Sequence, residues 1–129
     1  MILKDKVVII TGAGPGMGQA TCRGAAAEGA KVVVSARSVE AIVADIKAQG
    51  GDAIAVRCDV SKTEDCNALA KAALDTWGRI DGMVHSAYYH PDWMNLEAHS
   101  IDQLTTAFDV IATGGLRMAQ AVIPTMKAQ

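Results

Sequence analysis

Short apolar runs alternate with longer segments of helical periodicity along the whole chain. Four runs predict strands, and the first of them, residues 7–10, is continuous and β-branched, a pattern typical of a strand buried on both faces of a parallel sheet. The segments between and after these runs predict helices, and glycine follows the first three of them. The predicted strands cover residues 7–10, 31–35, 53–56 and 80–86, and the predicted helices cover residues 17–28, 39–49, 62–77 and 101–127.

The regular alternation of strands and helices favours right-handed βαβ crossovers and an α/β fold. We therefore predict one Rossmann-type domain over residues 1–129, built on a doubly wound parallel sheet with strand order 3-2-1-4. A loop over residues 88–100 precedes the last helix, which is long. Gly114, Gly115 and Pro124 are the weak points of that helix.

Composition narrows the class of protein. Half of the 129 residues are apolar but only 4% are aromatic, which favours close helix-on-sheet packing by small side chains. A net charge of −2 gives no electrostatic reason to expect nucleic acid or an acidic membrane as partner. No apolar run is long enough to span a membrane. The three cysteines lack CxxC spacing, which favours reduced thiols in a cytoplasmic protein over disulfides or a metal site.

A glycine-rich turn separates the first predicted strand from the first predicted helix. Gly12, Gly16 and Gly18 suit a turn in which the chain reverses sharply, approaches a pyrophosphate without a Cβ in the way, and packs helix against strand. Free N–H groups at the helix start would bind the phosphates, and Pro15 would stiffen the loop. A turn that only lets a strand meet a helix is the alternative interpretation.

The pattern Thr-Gly-x-x-x-Gly-x-Gly from Thr11 to Gly18 resembles the short-chain dehydrogenase/reductase family, and the resemblance extends over essentially the whole chain. It implies that this turn binds the adenosine and pyrophosphate of a nicotinamide cofactor. The residues between the motif glycines would add backbone contacts. The implied cofactor-binding residues of the turn are Gly12, Gly14, Pro15, Gly16, Met17 and Gly18.

Two further segments resemble parts of the same family's cofactor site. Cys58-Asp59-Val60 is similar to the segment after the third strand, which implies that Asp59 accepts from the adenine amino group, beside Val60. A favourable charge at the start of the third helix is the alternative role for Asp59, and both roles can hold. The resemblance also implies that Ser86 and Ala87 lie near the nicotinamide ribose.

The end of the second strand favours NADP over NAD. An NAD site usually has an acidic side chain there, whereas an NADP site lacks the acid and supplies arginine. By resemblance the acidic position is Ala36, and Arg37 follows it. A guanidinium can hold a phosphate through two parallel hydrogen bonds. We expect NADP, with NAD as the second choice; an ordinary exposed arginine is the alternative reading of Arg37.

The chain departs from the family pattern after the fourth strand and in the last helix. Asn-Asn-Ala-Gly of the family is replaced by His85-Ser86-Ala87-Tyr88. We interpret His85 as a hydrogen-bonded histidine of a buried strand rather than an acid–base group. The family asparagine that orders a proton-relay water is replaced by Ile111.

No catalytic residue is predicted, because the family's serine and Tyr-x-x-x-Lys are absent. We expect the chain to be the N-terminal part of a longer single-domain enzyme, since the sheet otherwise ends at an uncovered apolar strand. The expected reaction is hydride transfer between the cofactor and a small-molecule carbonyl or secondary alcohol. A non-catalytic, NADP-binding regulatory module is the alternative, favoured slightly by Ile111 and by the altered run at 85–88.

Two apolar features suggest a substrate and a partner. An aromatic-rich loop hints at a hydrophobic substrate; its residues are Tyr88, Tyr89, Pro91, Trp93 and Met94. The last helix resembles the family's subunit-contact helix, which implies a homodimer or homotetramer, although a core-facing stripe explains part of the same pattern. The stripe consists of Leu104, Phe108, Ile111, Met118 and Val122.

Overall fold

The β-branched runs form four strands, as expected for side chains whose stiff rotamers pack well on a pleated surface. The computed structural model describes all of residues 1–129. Its sheet is entirely parallel with the order β3-β2-β1-β4, which confirms the predicted 3-2-1-4 arrangement. The strands are β1 (Val7–Thr11), β2 (Lys31–Ser35), β3 (Asp52–Ala55) and β4 (Gly82–His85).

Helices follow each strand and cover both faces of the sheet. None of them is both long and apolar enough to cross a lipid bilayer. A short 3-10 turn lies at Leu96–Ala98, and a π-helical segment (the π segment) at Asp109–Thr113. The helices are α1 (Met17–Ala27), α2 (Glu40–Ala48), α3 (Thr63–Trp77), α4 (Ile101–Phe108) and α5 (Gly114–Ala128).

The core has two layers because successive strand side chains point to opposite faces of the sheet. One layer lies between the sheet and the α1–α2 side, and its buried members include Ile10, Val34 and Ile42. The other lies on the α3–α5 side and includes Ile9 and Leu69, both fully buried. Each fully buried side chain of this size contributes about 1.5–3 kcal/mol, so the central strands are fixed by burial on both sides.

The predicted strand boundaries were wrong at the two outer strands. The third strand begins at Asp52 and ends at Ala55, one residue earlier than predicted. The fourth covers only 82–85, although Ile80 is fully buried. The backbone N–H and C=O of Ile80 pair with the side-chain amide of Gln129, at 2.9 and 2.8 Å, and not with β1. Side-chain burial therefore begins at Ile80, before the strand pairing between β4 and β1 begins at Gly82.

The prediction of one continuous helix over 101–127 was also wrong. The π segment separates α4 from α5, whereas Pro124 lies inside α5 without ending it. Arg117 donates to the carbonyl and the carboxylate of Asp109 at 3.4 and 2.7 Å. Gly114 fits against Val60, where an added Cβ would lie 3.0 Å from the valine side chain. These tertiary contacts stabilise the wider turn that replaces α-helical geometry here.

Asp81 joins the beginnings of β1 and β4. Its carboxylate accepts from the Val7 N–H at 2.9 Å and from the Arg79 guanidinium at 2.8 and 2.6 Å. Lys6 adds an ion pair at 3.7 Å, and the Asp81 side chain is only 14% exposed. The hydrogen bonds from Arg79, with that from Val7, lower the pKa of Asp81 to about 2.

We expect Asp81→Asn to lower the free energy of unfolding at pH 7 by about 1–2 kcal/mol. Folding lowers the pKa of Asp81, so its contribution is present above about pH 4 and is lost as the pH falls toward 2. The difference between wild type and variant should shrink over that interval in urea titrations. Asp75→Asn is the control, because Asp75 pairs with Lys71 on an exposed surface. Equal effects of the two substitutions would contradict this role of Asp81.

Candidate cofactor site

The glycine turn between β1 and α1 is fixed by two close backbone approaches. Gly12 has a φ of +67°, and a Cβ there would lie 2.3 Å from the backbone nitrogen of Ala87. A Cβ on Gly18 would lie 2.2 Å from the carbonyl oxygen of Gly12. Both distances are far below any van der Waals contact. Glycine is therefore required where the turn meets the end of β4 and where α1 meets the turn.

The other two glycines of the turn face open space. A Cβ at Gly14 or Gly16 would meet no atom within 4 Å, and Gly16 has a φ of +95°. The backbone N–H groups of Gly16, Met17 and Gly18 donate to no acceptor in the protein. Together with the start of α1, they form a row of free donors where the helix dipole favours negative charge. This arrangement can bind a phosphate or pyrophosphate.

The turn is one wall of a groove of about 1120 Å³ at the carboxyl edge of the sheet. The groove collects segments that follow each of the four strands, as expected where a parallel sheet reverses its winding direction. Of the predicted site residues, it is lined by Gly12, Gly14, Pro15, Arg37, Asp59, Val60 and Ala87. It is also lined by residues that were not predicted for the cofactor, among them Ser38, Arg57, Cys58 and Val110.

The remaining predicted residues lie beside the groove. Gly16 and Met17 are exposed at the tip of the turn, and Gly18 is buried beneath it. Ser86 is half-buried, and its N–H donates to the Thr11 carbonyl at 3.1 Å. That bond carries the β1–β4 pairing one step beyond β4. Ser86 therefore holds the neighbouring Ala87 against the turn.

Asp59 is engaged at the start of α3. Its carboxylate accepts from the N–H and hydroxyl of Ser61 at 3.0 and 2.7 Å, and Lys62 lies 4.0 Å away. The hydrogen bonds from Ser61 lower the pKa of Asp59. These contacts fit the alternative interpretation, a favourable charge before a helix. Only one carboxylate oxygen accepts from Ser61, so the other can still accept from a ligand in the groove.

Cys58 lies in the same groove but is unreactive. Burial raises the pKa of its thiol to about 12, so the thiolate is not populated near neutral pH. Elsewhere, no cluster of three or more His, Cys, Asp or Glu side chains is arranged to hold a metal ion. The groove therefore offers a ligand the side chains of Arg37 and Arg57 and one carboxylate oxygen of Asp59, beside the backbone donors of the turn.

His85 connects the ends of β1 and β4 to the π segment. Its Nδ1 lies 3.0 Å from the Thr11 hydroxyl, and its Nε2 lies 3.1 Å from the Val110 carbonyl. A carbonyl oxygen can only accept, so in the neutral ring Nε2 carries the hydrogen and Nδ1 accepts from Thr11. Both ring nitrogens are used, as the interpretation of a hydrogen-bonded histidine expects, but no residue of β4 is buried, so the expectation of a buried strand was wrong. Gly115 makes room for the ring, since a Cβ there would lie 3.3 Å from it.

The apolar residues of the C-terminal half fall into two groups. Met118 and Val122 are buried in the core, as the core-facing alternative for this stripe expects. Leu104, Phe108 and Ile111 are exposed, and 49% of the Ile111 surface is accessible.

The loop after β4 is aromatic and open. The His90 ring makes edge contacts with the Tyr88 and Trp93 rings, at centroid distances of 6.1 and 4.8 Å.

A parallel sheet of order 3-2-1-4, flanked by helices and with a glycine turn after its first strand, defines a Rossmann-type fold. Comparison with known proteins gives the family. The sequence pattern described as short chain dehydrogenase matches residues 6–129. The chain belongs to the short-chain dehydrogenase family.

Similar proteins agree with this assignment. An uncharacterized oxidoreductase of Listeria monocytogenes is 39% identical over 132 residues, covering 100% of this chain and 53% of that protein. The 3-oxoacyl-[acyl-carrier-protein] reductase of Synechocystis sp. is 36% identical over 131 residues, covering 98% of this chain and 53% of that protein. The chain thus spans about half the length of these curated relatives.

Two solved structures have the same fold. A metagenomic short-chain oxidoreductase in complex with NADP superimposes with a TM-score of 0.89 at 29% identity, covering 99% of this chain and 59% of that one. A short chain dehydrogenase from Mycobacterium avium gives a TM-score of 0.91 at 28% identity, covering 99% of this chain and 48% of that one.

The close approach at Gly18 can be tested with a control in the same helix. Gly18→Ala places a methyl group against the Gly12 carbonyl and should lower the free energy of unfolding by at least about 2 kcal/mol. Gly24→Ala adds a methyl group that meets nothing within 4 Å and should raise it by about 0.5–1 kcal/mol. Chemical denaturation of both variants measures the contrast. Similar changes for both would refute the packing role of Gly18.

His85 and Gly115 should be energetically coupled. His85→Ala removes the hydrogen bonds to the Val110 carbonyl and the Thr11 hydroxyl and should cost about 1–3 kcal/mol. Gly115→Ala gains helix propensity but places a methyl group against the ring, so it should be more favourable with His85→Ala than in the wild type. A double-mutant cycle by thermal or urea unfolding measures the coupling. Strict additivity would show that ring and glycine do not interact.

Proposed function

We propose that this chain is the cofactor-binding part of an NADP-dependent short-chain dehydrogenase/reductase. The reaction is hydride transfer between the nicotinamide and a small-molecule carbonyl or secondary alcohol, and the cofactor supplies that hydride chemistry. The observation that carries the proposal is the groove that brings Gly12, Gly14 and Pro15 of the turn together with Arg37 after β2, beside the unpaired backbone amides of residues 16–18.

The residues present suit a dinucleotide. Gly14 and Gly16 keep the turn open where a side chain would obstruct a pyrophosphate, and the free amides provide its donors. Asp59 and Val60 line the part of the groove assigned to adenine. Ser86 and Ala87 lie at the end of β4, where the nicotinamide ribose would contact the backbone.

The end of β2 supports NADP over NAD. No acidic side chain occupies position 36, so nothing there would repel a 2′-phosphate or bind both ribose hydroxyls. Arg37 is exposed in the groove, and none of the ion pairs in the protein includes it. All five of its N–H donors are therefore available to a phosphate. One similar structure was solved in complex with NADP.

The chain supplies cofactor binding but no proton donor of the family type. We propose that it is the N-terminal part of a longer polypeptide, in which further residues bring the serine and Tyr-x-x-x-Lys. The span of 53% of its relatives supports this. So does the outer strand β4, where Val84 is 38% exposed.

We also propose a cellular compartment, an oligomeric state and a substrate class for the enzyme. The three cysteines are all free, which suits a reducing cytoplasm. The exposed apolar face of α4, formed by Leu104 and Phe108, suits a homodimer or homotetramer. The aromatic loop after β4 suits a hydrophobic carbonyl or alcohol.

A regulatory module that binds NADP without turning it over is the second candidate. Ile111 favours it, because an exposed isoleucine cannot hold the water that the family asparagine orders. The two candidates share the cofactor site and differ in turnover. A polypeptide that includes Tyr-x-x-x-Lys and oxidises NADPH with a carbonyl substrate would decide for the enzyme.

Calorimetric titration of the chain with NADP and NAD tests the cofactor assignment. NADP should bind more tightly, and Arg37→Ala should weaken NADP binding by about 10- to 100-fold through the loss of charged hydrogen bonds. NAD binding should change little, which makes NAD the internal control. If Arg37→Ala leaves the ratio of the two affinities unchanged, Arg37 does not select the cofactor.

A further inference from the structure

Arg57 lies beside Ala36 and Arg37, the residues that would contact the 2′-position of the adenine ribose. Strands β2 and β3 pair in parallel with Val34 opposite Ala55, and the Val56 N–H donates to the Val34 carbonyl at 3.0 Å. Continued by two residues, this register brings Arg57 beside Ala36. Neighbouring strands are about 5 Å apart, so the two segments leave the sheet side by side.

Arg57 and Arg37 line the same groove, with Ser38. The Arg57 side chain is 72% exposed, and its one partner is the Glu40 carboxylate at 3.4 Å. An exposed pair with such a long contact is weak. The guanidinium can therefore exchange this carboxylate for a stronger anion.

Glu40 is held more firmly than Arg57. Its other carboxylate oxygen accepts from the Val39 N–H at 3.0 Å at the start of α2. Backbone N–H groups, and then Arg57, lower the pKa of Glu40, so it is ionised at neutral pH. Glu40 thus places one negative charge beside Arg57 and orients its guanidinium toward α2.

The two acids that line the groove, Asp59 and Asp65, accept hydrogen bonds from other residues and do not contact the arginines. Asp59 accepts from Ser61, and Asp65 accepts from the Asp59 N–H at 2.9 Å. Arg37 and Arg57 are therefore the two cations at this end of the groove, and Glu40 is the acid that contacts one of them. A phosphate monoester carries a charge of about −1.5 to −2 at pH 7, more than a single arginine balances.

We propose that Arg57 is a second specificity-determining residue, which shares the 2′-phosphate of NADP with Arg37, and that Glu40 limits this affinity by competing for Arg57. The inference rests on the proposed NADP function.

Two pairs of probes isolate the phosphate: NADP against NAD, and 2′,5′-ADP against 5′-AMP, titrated into the full chain by calorimetry. Arg57→Ala should weaken NADP and 2′,5′-ADP about tenfold and leave NAD and 5′-AMP within about twofold. Glu40→Gln should strengthen NADP and 2′,5′-ADP by about two- to fivefold, because it removes a charge but keeps an oxygen for the Val39 N–H.

Arg23→Ala is the matched control, an exposed arginine paired with Asp45 outside the groove, and it should change none of the four affinities. Unchanged thermal unfolding shows that each variant is folded. If wild type prefers NADP and Arg37→Ala removes that preference while Arg57→Ala has no effect, the inference is overturned and the proposed function stands. If wild type does not distinguish NADP from NAD, both fail.

Discussion

Contact between three stretches of backbone, without side chains between them, is the constraint on which the site depends. The end of β4 lies against Gly12, and Gly12 lies against Gly18 at the start of α1, at distances that exclude a Cβ. In the same turn, the amides of residues 16–18 have no partners in the protein. The shape of the turn and its capacity to bind an anion therefore belong to the same short segment.

Side chains extend this rigidity to the C-terminal half. His85 bonds to both Thr11 and Val110, and Arg117 donates to the Val60 carbonyl at 3.2 Å as well as to Asp109. The turn, the end of β4, the segment after β3 and the π segment are thus linked through two polar side chains. Two residues that differ from the family pattern, His85 and Ile111, belong to this part of the molecule. The departure at His85 is accommodated by hydrogen bonds from both ring nitrogens, whereas Ile111 is half exposed.

The sequence predicts most of the sheet because burial on both faces leaves a local pattern of apolar residues. It also predicts the glycine turn, whose spacing is local. The π segment could not be predicted, because its geometry depends on side-chain contacts, one from His85 at the end of β4 and one from Arg117 in the first turn of α5. Arg57 was missed for a similar reason: only the register between β2 and β3 brings it beside Ala36. The contacts of Asp59 with Ser61, before α3, match the role that the sequence suggested only as an alternative, a favourable charge at the start of a helix.

The amide spectrum of the isotope-labelled chain during titration with NADP tests directly whether this groove is the cofactor site. Shifts should be largest for Gly14, Gly16, Met17 and Gly18, followed by Arg37 and Ala87, while the α4 and α5 amides stay in place. An unchanged spectrum at millimolar NADP, or shifts confined to the exposed face of α4, would contradict the assignment of this groove as the cofactor site.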